Sequence, residues 1–272
     1  MGSSESTRLT DDGQLKFSPT FCDGGRTVVY AVHDVPNRVS LVRFDLESGR
    51  KERLYPEMQV HQFDPAFSRD GRWHAYCRSS GSPQMLLIVR DRQEQAEAVF
   101  TPEGARSTAR SPRILPDGSR VVFTLSAPGG QQSCPVNLQG KDLRPLTDSA
   151  GINVWPDVSP DGSRIVFSSS LGGHLQLYTM NADGTNAARL TESPVRDMRP
   201  AWSPDGGRIA FTSARDGNPE IYVVNADGTG LARVTAHGER DDFATWHPDG
   251  RRLLVVAERG GESDLWLLDV SA

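Results

Sequence analysis

Apolar residues along this chain fall in short runs, such as "RIAFTS" at 208–213 and "IYVVN" at 221–225, separated by clusters of Gly, Asp, Asn and Pro. Runs of this length, rich in β-branched and aromatic residues and bounded by turn formers, predict strands. The order of elements recurs. A Pro-x-aromatic segment such as "PAW" is followed by S-P-D-G, which supplies a fixed φ, an aspartate to bond the turn backbone, and a glycine for positive φ. A tight hairpin leads into the next run, a looser Gly/Asn/Asp loop into the third, and a second Asp-Gly turn, "NADG", into a last strand, "LARVT". Each unit therefore reads as four antiparallel strands with apolar side chains on both faces, which must stack on neighbouring units to leave water.

Anchored on the Asp-Gly turn, the copies are "FSRDGRWHAY" (Asp70), "ILPDGSRVVF" (Asp117), "VSPDGSRIVF" (Asp161), "WSPDGGRIAF" (Asp205) and "WHPDGRRLLV" (Asp249). A degenerate sixth, "FCDGGRTVVY", has Gly24 in the aspartate's place. Successive anchors lie 46, 47, 44, 44 and 44 residues apart, a period of propeller blades or solenoids. A ring is distinguished from a solenoid by the chain ends. The last unit stops at "DLWLLDVSA", after its third strand, while "TRLT" at Thr7–Thr10 mimics "ARLT" at Ala188–Thr191. The six-residue offset from Thr147 to Asn153, Thr191 to Asp197 and Thr235 to Asp241 recurs from Thr10 to Lys16. The predicted fold is all-β: one six-bladed β-propeller over 1–272, with blades at roughly 17–55, 63–101, 110–147, 154–191, 198–235 and 242–270. Residues 7–10 complete the last blade, so that both chain ends share one sheet and no edge is left open.

S-P-D-G followed by "RIAF", "IYVVNADG" and "RVT" resembles the TolB-type propeller repeat, a relative of the tryptophan-aspartate repeats, over essentially the whole chain. The resemblance implies the propeller alone, since TolB itself carries a further N-terminal α/β domain for which there is no room before Thr7. Such propellers serve as peptide-binding platforms and as enzyme-gating domains, so the fold does not choose the function.

Composition removes several classes. A formal charge of −5 and a pI near 5.7 give no field for phosphates, so nucleic acid is not expected as a partner. No apolar run approaches a membrane span, and membrane insertion is not expected. The first residues lack a signal pattern, but Met1–Ser4 read as a vector remnant. The compartment is thus open: periplasmic or exported if a leader was trimmed, cytoplasmic otherwise. A bacterial monomer is expected. Cys22, Cys77 and Cys134 share no zinc or redox spacing and predict no disulfide framework. G-x-S-x-G, H-E-x-x-H, Walker and Rossmann patterns are all missing, and no catalytic residue is assigned.

Function is sought where the copies disagree. Eight positions before each anchor stand Lys16, Gln62, Ala109, Asn153, Asp197 and Asp241, expected to crowd one mouth of the axial channel. Around them His61, Asp64, Arg110, Trp155, Arg196, Arg199 and Arg240 are candidates for contact with a ligand or partner. Converging carboxylates either raise one another's pKa or hold a cation, which makes Asn153, Asp197, Asp241 and Asp242 candidate ligands for Ca2+ or Mg2+. Neutralisation by Arg196, Arg199 and Arg240 is the competing account. Three functions follow: a non-enzymatic protein or peptide platform on the loop face, a divalent-metal hydrolase or lyase with His61 as base, and a substrate-gating module for a separate peptidase. The loops "HDVPNR", "SSGSPQ", "LSAPGGQQ", "SSLGGH", "SARDGN" and "ERGGES" are expected to be long and to share the face of the mouth.

Overall fold

The computed structural model describes residues 6–81, 83–127, 129–147 and 151–270. Regular structure is strand apart from a single short 3-10 turn, Asp23–Gly25. The innermost strands of the six blades, in order, are Lys16–Cys22, Gln62–Phe67, Thr108–Ile114, Gly151–Val158, Asp197–Trp202 and Asp241–Trp246. Each contacts the next, and the sixth contacts the first. The chain is a six-bladed propeller, as the repeat predicts. Apolar clusters lie between blades: Val166 and Leu177 of the fourth pack on Trp202, Ile209, Phe211 and Tyr222 of the fifth. The column six positions after the anchor, Tyr30, Tyr76, Phe123, Phe167 and Phe211, is buried throughout.

Closure follows the predicted register. Ser6–Arg8 pairs antiparallel with Glu262–Asp269, placing Ser6 opposite Leu268, Thr7 opposite Leu267 and Arg8 opposite Trp266. The Leu9 N–H then donates to Leu265 O at 2.8 Å. The repeated threonine has a structural task. The hydroxyls of Thr10, Thr147, Thr191 and Thr235 accept the N–H groups of Leu265, Ser133, Leu177 and Ile221, at 2.9, 3.1, 3.0 and 2.9 Å. Each of these hydroxyls also donates to a side chain, buried Asp264, Asp197 or Glu220, or half-buried Gln132. The fourth strand is thereby fastened to the third by a side chain where the backbone ladder ends, which is why two of these outer strands need only two residues, Ala188–Arg189 and Ala232–Arg233.

In the third blade no fourth strand forms among the described residues. Arg144 N–H donates to Pro135 O at 3.2 Å and Leu146 N–H to Ser133 O at 2.9 Å. Pro135 has no N–H to return, and the N–H of Ser133 is taken by Thr147. The ladder is one-sided.

The S-P-D-G turns behave as their chemistry predicts. Asp205 Oδ1 accepts from the Ser203 hydroxyl at 2.5 Å and the Gly207 N–H at 3.0 Å, while Gly206 sits at φ 72°. In the degenerate copy the 3-10 turn replaces this hairpin, and a Cβ on Gly25 would lie 2.6 Å from His247 Nε2. The opposite-face loops differ from expectation in three blades. Val35 pairs with Arg38, Ala127 with Gly130, and Arg259 with Glu262. "HDVPNR", "LSAPGGQQ" and "ERGGES" are therefore two-residue hairpins, helped by Asn37 at φ 61° and by Gly260 and Gly261 at φ 65° and 78°. Pro128, in one of these turns, and Ser82, in "SSGSPQ", lie outside the described residues. Longer loops on this face remain in the second, fourth and fifth blades. The three cysteines are free and buried.

Candidate functional site

Every innermost strand carries a β-bulge at one place. The register shifts between Phe17 and Thr20, Phe63 and Ala66, Arg110 and Arg113, Val154 and Asp157, Met198 and Ala201, and Asp242 and Thr245. Inside each bulge one residue is left-handed: Ser18, Asp64, Ser111, Trp155, Arg199 and Phe243, at φ between 45° and 56°. None is glycine, and such a conformation costs about 1–2 kcal/mol per residue. In five of the six the next residue is proline, which has no N–H to leave unpaired in the bulge. The extra residue turns these six side chains towards the axis, where they line a channel of about 990 Å3 between the blades.

The ring is chemically lopsided. In the first three blades the Asp64 carboxylate gathers the Ser18 hydroxyl at 2.8 Å, the Ser111 N–H at 3.0 Å and Arg110 Nε at 2.6 Å. Burial pushes the Asp64 carboxyl up, but Arg110 and these donors outweigh it and bring the pKa down to about 2. In the other three blades the Arg199 guanidinium lies between two rings, 4.7 Å from the Trp155 centroid and 4.2 Å from that of Phe243. Cation–π contacts favour that placement. Burial lowers the Arg199 pKa from its ordinary range, Asp242 opposes this, and Arg240 and Arg110 add to it. Asp242, 2% exposed, is shared by Arg199 at 3.1 Å, by Arg240 and by the Thr212 hydroxyl at 2.7 Å. Two guanidinium groups thus meet one carboxylate.

Of the residues expected at the mouth, Asp64, Arg110, Trp155, Arg199, Arg240 and Asp242 come together there. Of the column eight before the anchor only Lys16 touches the channel lining. Lys16, Gln62, Ala109, Asn153, Asp197 and Asp241 are each at most 2% exposed and point into the joints between blades. The physical reason is the bulge: residues two apart in a regular strand share a face, but the left-handed residue breaks that alternation and takes the axis-facing place instead. Lys16 Nζ bonds Asp264 at 3.0 Å, and Asn153 bonds Gln132 at 3.2 Å. Asp197 is held by Arg215 at 2.9 Å, and Asp241 by Arg259 at 2.6 Å. Among the described residues no group of three or more His, Cys, Asp or Glu side chains is placed to hold a metal ion, so Asp197, Asp241 and Asp242 do not form such a group.

His61 lies off the channel, with Nδ1 accepting the Val39 N–H at 3.2 Å and its ring stacked on Phe63. Arg196 is exposed and also off the lining. The sequence reading missed Ser18, Ser111, Phe63 and Phe243, and the pair Arg113–Asp157 at 2.8 Å. The residue preceding each proline of the Pro-x-aromatic segment was the available signal. An ion-pair role for Asp197 makes a checkable claim. Asp197→Asn should melt about 5 °C lower, roughly 2 kcal/mol, by the same amount in calcium and in EDTA; a calcium-dependent shift in the wild type would instead favour a cation.

A family model for the TolB β-propeller domain matches residues 48–198, more than half of the chain. The chain belongs to the TolB β-propeller family. A second family model, the N-terminal β-propeller domain of tricorn protease, matches residues 176–271. Among solved structures, this TolB-family chain is similar to a putative TolB from Agrobacterium tumefaciens, with a TM-score of 0.73 and 21% identity over 84% of this chain and 83% of that one. It is also similar to TolB from Acinetobacter baumannii, with a TM-score of 0.67 and 21% identity over 91% of this chain and 64% of that one. An oligogalacturonate lyase from Vibrio parahaemolyticus shares the fold at a TM-score of 0.64 and 14% identity, over 98% of this chain and 94% of that one. At these identities the likeness is one of fold. No curated protein sequence matches significantly.

Proposed function

We propose that the chain is a non-enzymatic platform that takes a protein or peptide partner on the loop face around its axial channel. The observation that supports this most is the Arg199 sandwich. A guanidinium fixed between Trp155 and Phe243, on strained but fully packed backbone, is a preformed recognition group. A closed ring holds such groups in place before binding and lowers the ordering cost of association. The potential nucleophiles point away from catalysis. Burial pushes the Cys22 thiol up to about 12 and the Cys134 thiol up to about 11, and it also raises the Cys77 thiol well above its ordinary range. Thiolate, the reactive form, is disfavoured at all three.

The test compares wild type, Arg199→Glu and a control at the opposite face, Arg251→Glu, each immobilised and probed with one peptide array. Binding of specific peptides by wild type and Arg251→Glu, lost in Arg199→Glu at an unchanged far-ultraviolet spectrum, is the expected result. Turnover of a substrate panel without retained peptide would overturn the platform.

A further inference from the structure

The mouth has a feature that a generic platform does not require. Asp242 is the single carboxylate serving both Arg199 and Arg240. Arg240 is 43% exposed along its side chain, and Arg199 Nε is buried with no hydrogen-bond partner among the described residues. Arg110, whose charge also bears on Arg199, is already engaged by Asp64. Asp242 alone therefore ion-pairs two guanidinium groups, while Glu258, which lines the same channel, makes no ion pair with either among the described residues. Trp155 and Phe243 both lie against the Arg199 guanidinium, whose N–H donors all lie in its plane. An edge-on guanidinium suits a planar, two-oxygen acceptor, which it can meet with parallel N–H···O bonds. On the rim, Ile152 of the fourth blade, beside the fifth that carries Arg199, lines the channel while 39% exposed, a place for an apolar side chain.

We propose that Arg199 and Arg240 capture the C-terminal carboxylate of the bound peptide, with the last apolar side chain resting on Ile152. This rests on the platform reading and names the group it recognises. A chain end suits the geometry better than an internal acidic residue, because an internal segment would have to enter and leave by one mouth of a channel of about 990 Å3.

The probes are N-acetylleucine, N-acetylleucinamide and N-acetylaspartic acid α-amide, whose side-chain carboxylate stays free, titrated at constant ionic strength to about 100 mM, where even millimolar affinity saturates. Arginine-15N-labelled protein reports through the Nε resonances of Arg199 and Arg240, and melting temperature reports binding independently. The expected result is saturable shifts and a raised melting temperature with N-acetylleucine. The leucinamide and the aspartic α-amide should bind at least about tenfold more weakly, and Arg240→Gln should lose a similar factor. Equal binding of the leucinamide, or no saturation with N-acetylleucine, overturns the carboxylate site. Equal binding of the aspartic α-amide overturns the chain-end assignment. If these fail while array peptides still bind wild type and not Arg199→Glu, the platform survives without this inference.

Discussion

A chain beginning at Asp11, lacking the closing strand, is expected to lose at least about 4 kcal/mol of stability and to melt 10 °C or more below the intact protein. Three losses add. The pairs from Ser6 to Arg8 with Trp266 to Leu268 disappear, which leaves "ESDLWLLD" as an unprotected sheet edge, prone to pair with another copy. Leu9 leaves the apolar cluster that joins the first and last blades. The largest loss is at Asp264, 1% exposed. It gives up the Thr10 hydroxyl at 2.6 Å and Arg8 at 2.6 Å, and the Leu265 N–H loses Thr10 as well. Removing donors from a buried carboxylate costs about 1–3 kcal/mol each. Lys16 stays with Asp264 at 3.0 Å, so the truncated chain should still fold at low temperature. Concentration-dependent association by light scattering is the second expected consequence. Thr10→Val separates the parts: it keeps the strand pairing and should cost about 1–3 kcal/mol without causing association. A truncated chain that melts with the intact protein would mean that the ring is held by blade packing alone.

The same threonine shows what the sequence makes legible. Blade count, order and closure follow from spacing, because a turn of Pro, Asp and Gly and a threonine at a fixed offset can be read residue by residue. The lining of the channel could not be read in that way. Regular alternation carried from the anchor places Asp197 and Asp241 at the axis, whereas a bulge shifts the inward direction onto Arg199 and Phe243. A bulge adds one residue without changing the repeat length when every copy carries it, so the period conceals it. Ion pairing was equally hidden. Asp197 and Arg215, or Asp241 and Arg259, stand 18 residues apart in sequence and meet only because the innermost strand and the loop end of the next lie side by side. The hairpins of the first, third and sixth blades mark a further limit. "LSAPGGQQ" contains the residues of a loose loop, yet its flanking strands pair up to Ala127 and Gly130.

Acid should destabilise this protein well above the pH at which its carboxylates protonate, and His74 is the cause. Its ring is 1% exposed and lies 4.3 Å from Phe67 at an interplanar angle of 4°, with Tyr76 at 5.1 Å. Nδ1 meets the Tyr55 hydroxyl at 2.7 Å, and Nε2 is buried with no partner among the described residues. Burial, with Arg92 and Arg90 adding, brings the His74 pKa down to about 3, against about 6.5 in an unfolded chain. The folded value is the lower one, so the unfolded state binds the proton first. The contribution of neutral His74 is complete above pH 6.5 and is lost as pH falls towards 3. At about 1.4 kcal/mol per unit, the loss between pH 6.5 and pH 4 is roughly 3 kcal/mol. Asp64, held down to about 2 by Arg110, adds its loss only as pH falls below about 4, where an unfolded aspartate starts to protonate, so the slope above pH 4 does not come from Asp64. Denaturant unfolding at pH 7, 6, 5 and 4 measures the slope, and His74→Phe should remove most of it while keeping the stack on Phe67. The variant will be less stable at pH 7, since the Tyr55 hydroxyl loses its partner, and the two proteins should converge in stability near pH 4. An unchanged slope in His74→Phe would place the acid sensitivity elsewhere.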